Sequence, residues 1–474
     1  MSEDLPNVLA GRYASAEMKN LWSQSGKIVM EREFWIAVMR AQSELGVKIE
    51  KSSITNSEKV KLKVDLESIR KREEVTKHDV KARLEEFASL SGHQHAHKGM
   101  TSRDLTENVE QLQIHRSLSL ILEKGVVAIL ALGRKAEEFK DIPITARSHN
   151  VPAQLTTIGK RLANYGEELE RSLESLSRLC ATYPYRGLKG AVGTRLDQVT
   201  LLGSAQKAEK LDSKIMEHLG APSNWENVGQ VYPRSLDFEV VSQLVRVASA
   251  PSNFATSLRL MAGHELLSEG FAKGQTGSSA MPHKMNSRSC ERINGFYAIL
   301  NGYLTMLSQI SGSQWNEGDV SCSVVRRVAL PDAFFAMDGL LDTFLTVLDQ
   351  MEAFPAVVAN ERSHYLPFLL TTTIMMEAVK NGAGREDAHE AIKEHAISAV
   401  KDLRNGKIKE NDLPVRLAGD KRIGLSIRSI CKILKQGENG VGAADQQVEH
   451  FVKRSVSWGR KFPEAKKYVP PTIL

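Results

Sequence analysis

From Asn7 to Ile142 the chain contains no proline. A proline inside a helix removes a backbone hydrogen bond and costs ~3 kcal/mol or more, so a gap of 136 residues is what long helices permit. The segment Thr106–Asp141 places Val109, Leu112, Leu120, Val127 and Leu130 near three-, four- or seven-residue spacings, with charged residues between them. That spacing predicts an amphipathic helix long enough to cross a domain. The same periodicity predicts long helices at about 153–181, 234–270, 286–311 and 327–352. Strand-like alternation is confined to short stretches around 142–146 and 183–193. No strict heptad persists, and no stretch reaches 18 apolar residues, which argues against a coiled coil and a membrane span. A bundle of long helices remains.

The chain has 474 residues, which a prior of about 150 per domain turns into roughly three. The expected architecture is all-α: a helical head (1–104), a long-helix bundle body (105–354) and a smaller helical tail (355–474). Lys plus Arg number 63 against 57 Asp plus Glu, too even a balance for nucleic acid or a membrane surface as the main partner. Cys180, Cys290, Cys322 and Cys431 lie far apart and form no CxxC pair, which points to a reducing compartment and away from a disulfide framework. The opening MSEDLPNVLAGRY carries acids and no apolar core of a secretory signal, so the expected location is cytoplasmic.

Several familiar motifs fail. His389-Glu390 begins an HExxH, but Lys393 stands where the second imidazole is needed. Gly187, Gly190 and Gly193 follow no long apolar strand, and no GxxxxGK[ST] is present. His93, His95 and His97 bring no carboxylate or thiolate at ligand spacing; local polar contacts, or catalysis by one imidazole, are expected there rather than a metal. The segment Gly274–Ser287, GQTGSSAMPHKMNS, is different. It concentrates glycines, hydroxyls, an imidazole, an amine and an amide between two helical stretches. Glycine lets backbone N–H groups approach a ligand, and Ser, Lys and Asn offer proton-transfer and anion-stabilising groups. On composition alone the segment is either a functional loop or a polar crossover.

The run GSSAMPHKMNS resembles the signature loop of the fumarase/aspartase superfamily, usually GSSxMPxKxNP. Arg12-Tyr13, Thr76-Lys77-His78-Asp79-Val80, His97 to Ser102, Ser148 to Gln154, Gly229 to Tyr232, and Ser323 with Arg327 resemble, in order, the adenylosuccinate lyase family within it. Together they span about residues 11–330. The resemblance implies elimination of fumarate from adenylosuccinate and from the succinocarboxamide ribotide of purine synthesis, without cofactor or metal. It implies Ser278 as general base and His149 as general acid, with His78 and Lys284 beside them. It further implies substrate contacts from Arg12, Tyr13, Lys77, Asp79, His97, Thr101, Ser102, Gln230, Ser279, Asn286, Arg292, Ser323 and Arg327. The family's sites combine three subunits, so a homotetramer around a shared central helical bundle is expected, with small nucleotides as substrates. Ser102 could instead cap the helix that follows it. Cys290 is expected to pack, and His283 to face away from substrate.

Three positions depart from the family pattern. Ser287 replaces the proline after the asparagine, Lys77 replaces an arginine, and Gly318 stands where an arginine often binds substrate. Arg326 or another basic residue would compensate for the last. Rival readings are another lyase of the superfamily, a non-catalytic structural member, and a nucleic-acid binder acting through the basic ending.

Overall fold

A computed structural model describes residues 6–271, 280–281 and 283–470. A π-helical turn, Leu9–Tyr13, precedes α1 (Ala16–Trp22), α2 (Gln24–Glu44), α3 (Lys51–Val60), α4 (Leu66–Thr76) and α5 (Asp79–Ser91). The long helices α6 (Ser102–Glu138), α7 (Ile158–Thr182), α10 (Ser235–Gly263), α11 (Arg288–Ile310) and α12 (Ser323–Gln350) follow, with the shorter α8 (Leu196–Leu202) and α9 (Ala205–Leu219) between α7 and α10. The chain closes with α13 (Pro355–Leu369), α14 (Thr371–Lys380), α15 (Arg385–Arg404), α16 (Leu413–Ala418), α17 (Ile427–Gly437) and α18 (Ala444–Lys461). The all-α expectation holds.

The helix expected from Thr106 starts four residues earlier. Thr101 caps it, accepting from the Asp104 amide, while the Asp104 carboxylate accepts from the Thr101 amide at 2.8 Å. This reciprocal capping box satisfies two donors that a helix start otherwise leaves open. Ser102 is therefore the first helical residue and not the cap. The expected one-sided burial is also modified. Along α6, Glu107, Asn108, Gln111 and Lys124 are as buried as Leu105 and Val109, because α2, α7, α12 and α18 surround it.

A hairpin, β1 (Pro143–Ser148) with β2 (Val151–Thr157), occupies the first residues of the helix expected from 153. The Thr157 hydroxyl accepts from the Lys160 amide and so starts α7 at Ile158. Around 183–193 only Pro184–Tyr185 is extended, pairing in parallel with Ser223–Asn224. The glycine turns after it fold onto carboxylates: Asp104 accepts from the Lys189 and Gly190 amides at 2.9 and 3.0 Å.

The main apolar core runs from Leu9 to Ala465, taking Phe34 and Trp35 from α2 and Val448, Phe451 and Trp458 from α18. A second core joins α14 to α17 through Ile374, Leu413, Ile423 and Ile430. Among the described residues no helix is long and apolar enough to cross a membrane.

Candidate active site

The N-terminal turn brings Arg12 and Tyr13 onto the start of α11. The Tyr13 ring meets Phe296 edge-on at 5.0 Å between centroids. The Arg292 guanidinium lies 5.4 Å from the same ring and that of Arg12 5.9 Å. Two cations thus lie against one aromatic ring, an arrangement that suits an anionic ligand. Burial lowers the pKa of Arg292, Tyr13 opposes the shift, and the neighbouring Arg12 adds to it.

The start of α11 is capped from a distance. Glu269, buried, accepts from the Ser289 and Cys290 amides at 3.0 and 2.9 Å. Ser287, at the N-cap position, makes no side-chain cap. The helix that carries Arg292 is therefore fixed by a residue on the far side of the signature loop. Ser278 and Ser279 lie outside the described residues. Downstream, His283, Lys284 and Asn286 line one depression of about 550 Å³ with Arg259, Glu265 and Phe354. His283 and Lys284 share that wall. Cys290 is buried, and burial drives its thiol pKa far above the ordinary range.

A second group forms where α5 and α6 begin. Lys77 ends α4 in the left-handed region, φ 52°, and His78 caps α5, its Nδ1 accepting from the Lys81 amide at 3.4 Å. Asp79 opens α5 and pairs with Arg83 at 3.1 Å. Burial pushes the Asp79 carboxyl up, but Arg83 outweighs it and the net pKa is lowered. Trp35 donates to His97 Nδ1, and burial lowers the pKa of that imidazole, with Asp104 opposing and His78 reinforcing. Thr101 and Ser102 follow at the start of α6, whose anchor Asp104 also receives Arg186 at 2.6 Å. Helix starts with open amides favour anions. The neighbouring histidines serve local contacts: His93 Nε2 lies 2.8 Å from Ser57 Oγ, and His95 pairs with Glu50 at 2.7 Å.

His149 occupies the tip of the β1–β2 hairpin, with φ 53°, and Asn150 follows at φ 60°. Two successive positive φ values give the two-residue turn that matches strand twist. The imidazole is exposed and, among the described residues, makes no hydrogen bond or ion pair. The hairpin itself packs on α7 and α13.

Gln230 donates its amide to the Glu317 carbonyl at 2.6 Å, tying its loop to the segment before α12. Ser323 opens α12, and Arg327 is exposed one turn along. Arg326 does not replace the absent arginine at 318. It is buried, donating to Asp237 at 2.7 Å, to Glu110 at 2.5 Å and to the Tyr232 hydroxyl at 2.5 Å. Gly318 itself sits at φ 129°, and a Cβ there would lie 2.8 Å from Val231 Cγ2. The local backbone is shaped for glycine. Within one chain, then, Arg12, Tyr13 and Arg292 come together, as do His78 and His97, while His149 stands apart on its hairpin.

Residues 12–301 match the lyase family, and residues 367–451 match the adenylosuccinate lyase C-terminus family. The structure is similar to 3-carboxy-cis,cis-muconate lactonizing enzyme from Pseudomonas putida, with a TM-score of 0.80 at 20% identity, covering 96% of this chain and all of that one. It is also similar to a fumarate lyase from Mesorhizobium sp. BNC1, TM-score 0.79 at 20% identity, over 94% of this chain and 99% of that one. Fold and motifs together define a lyase of the fumarase/aspartase superfamily. The adenylosuccinate lyase of Saccharomyces cerevisiae is 32% identical over 95% of this chain and 94% of its own length. That of Schistosoma mansoni is 32% identical over 96% and 95%. The chain belongs to the adenylosuccinate lyase family.

Proposed function

We propose that the protein eliminates fumarate from adenylosuccinate, giving AMP, and from the succinocarboxamide ribotide of purine synthesis. The observation that carries this reading is the joining of Arg12, Tyr13 and Arg292 beside the signature-loop helix in a chain of this family. A phosphate-bearing substrate suits such a pair of cations.

The chemistry is demanding because a C–H proton must leave from beside a carboxylate that is already negative. Ser278 takes that proton, and Lys284 and Asn286 hold the succinyl carboxylates as charge builds. Each positioned donor is worth about 2.7–4 kcal/mol of barrier. His149 then protonates the departing nitrogen, a step worth ~10²–10⁴-fold. His78 and His97 orient the substrate with Lys77, Asp79, Thr101 and Ser102. Gln230, Ser279, Ser323 and Arg327 complete the pocket.

His149 is exposed and has no partner on its own hairpin, which supports a site assembled from three subunits of a homotetramer. Val324 and Val328, on α12, and Ile299, on α11, are exposed apolar residues that suit helix-to-helix burial between subunits. We keep head, body and tail at 1–104, 105–354 and 355–474 as the proposed division; the separate core of α14 to α17 supports a distinct tail, whereas α18 packs into the main core.

The test is to mix the purified protein with adenylosuccinate, argininosuccinate and malate separately and to follow fumarate. Fumarate and AMP from adenylosuccinate are expected. Fumarate only from one of the other two would refute the substrate assignment.

A further inference from the structure

Behind Tyr13 lies a buried charge cluster that the elimination chemistry does not use. Lys124, in the middle of α6, is fully buried and sits 2.5 Å from Asp338 Oδ1 and 2.9 Å from Asp342 Oδ2, both on α12 and both buried. One ammonium cannot neutralise two carboxylates. The remaining charge is met by hydrogen bonds: the Ser15 amide donates to Asp338 Oδ2 at 2.6 Å, and the Tyr468 hydroxyl donates to Asp342 Oδ1 at 2.6 Å. The Tyr468 ring also covers Lys124, its centroid 5.1 Å from Nζ. A buried ion pair is weak evidence for stability, since apolar replacements of similar volume are often neutral or stabilising. A cluster of this kind is better explained by what it holds in place.

What it holds is the N-terminal turn. Ser15 is two residues from Tyr13, and α12 touches Tyr13 directly: a Cβ on Gly339 would lie 2.8 Å from Tyr13 Cβ. Asp338 immediately precedes that glycine. The turn is pinned at its other end too, where Asn7 donates to Asp332 at 2.7 Å.

We propose that Tyr468, Asp342, Lys124 and Asp338 form a buried relay that positions the Arg12–Tyr13 turn for the nucleotide, so that the C-terminal segment sets substrate affinity from behind the site. The inference rests on the reading of Arg12 and Tyr13 as nucleotide contacts. Removing the Tyr468 hydroxyl leaves Asp342 short of a donor, draws Lys124 toward it, and loosens the pull on Asp338 and hence on Ser15. These are positioning residues: none touches substrate.

The test uses the full-length enzyme and adenylosuccinate. Tyr468→Phe is expected to raise KM about 3- to 10-fold, the effect of one hydrogen bond, with kcat within about twofold. Arg12→Ala alone reports on the underlying reading and should raise KM by itself. The double variant should raise KM by less than the product of the two single effects, because a turn without its cation has less to gain from being positioned. Raised KM in Arg12→Ala but unchanged KM in Tyr468→Phe overturns the relay and leaves the nucleotide reading intact. So does a double variant whose effects multiply, or a Tyr468→Phe effect confined to kcat. Unchanged KM in Arg12→Ala overturns the nucleotide reading and the relay with it. Asp338→Asn, which keeps size and removes charge, provides the second variant and should reproduce the KM effect.

Discussion

Trp35 donates its indole N–H to Nδ1 of His97 at 3.0 Å. In the neutral imidazole this places the proton on Nε2, so one buried tryptophan of α2 decides which nitrogen of His97 can donate. Trp35→Phe keeps most of the packing and removes the donor. The loss of one such bond is worth about 0.5–1.5 kcal/mol, so kcat/KM for adenylosuccinate should fall by up to about tenfold. Steady-state fumarate release checks it, with nitrogen NMR of the histidines reporting the tautomer directly. Unchanged kinetics would remove His97 from the substrate contacts.

Mild acid should weaken the fold through its buried histidines. His93, His97 and His115 all have pKa values lowered from 6.5, burial being the first cause in each. Below about pH 6.5 the unfolded chain binds protons that the folded chain refuses, so stability falls as pH falls through that window. Glu31 and Asp342, raised by burial, act in the opposite sense. Comparing His115→Asn with wild type isolates one imidazole. The drop in urea midpoint between about pH 7.5 and 5.5 should be smaller in the variant; an equal drop would show that His115 does not contribute.

The long helices were legible because proline scarcity and apolar spacing act locally, over a few turns. Where expectation and structure part, a partner distant in sequence decides the outcome. Arg326 reads as a spare cation beside Arg327, yet Asp237 and Glu110 bury it. Ser102 reads as a cap until Thr101 and Asp104 close their reciprocal pair. Glu269, which caps α11 across the signature loop, carries no local signal at all. The candidate site residues were named through ordered motifs, but their arrangement was not legible, since nothing in spacing places Tyr13 against Arg292 or leaves His149 alone on a hairpin.

Gly318 gives a directional test of that lesson. Restoring the family's arginine by Gly318→Arg should not tighten substrate binding. The backbone at φ 129° and the close Val231 methyl oppose any side chain, and such strain costs on the order of 1–3 kcal/mol. Both KM and the melting temperature report it: KM should rise and the melting temperature fall. A lower KM at unchanged stability would show that the loop accepts the arginine.

Glu269→Gln separates capping charge from capping geometry. Gln keeps one acceptor oxygen for the Ser289 or Cys290 amide but loses the negative charge at the start of α11. Glu269→Ala removes both. Loss of a helix cap costs about 0.5–2 kcal/mol. The alanine variant should therefore melt lower than the glutamine one, and KM should rise in the same order because Arg292 rides on the same helix. Equal losses in the two variants would mean that the charge, not the hydrogen bonds, holds the helix start.

The isolation of His149 leads to the sharpest experiment. Ser278→Ala and His149→Ala should each nearly abolish fumarate release while leaving circular dichroism unchanged. If the two residues serve one site from different subunits, mixing the inactive variants and allowing subunits to exchange rebuilds some intact sites. Random assortment places a wild-type Ser278 and a wild-type His149 together in about a quarter of them. Activity should then recover toward about a quarter of the wild-type rate after exchange, and not before. Two residues from the same chain would give no recovery at any ratio, because every chain in the mixture lacks one of them. Recovery measured against the mixing ratio, peaking at equal amounts, therefore decides whether the hairpin of one subunit reaches the signature loop of another.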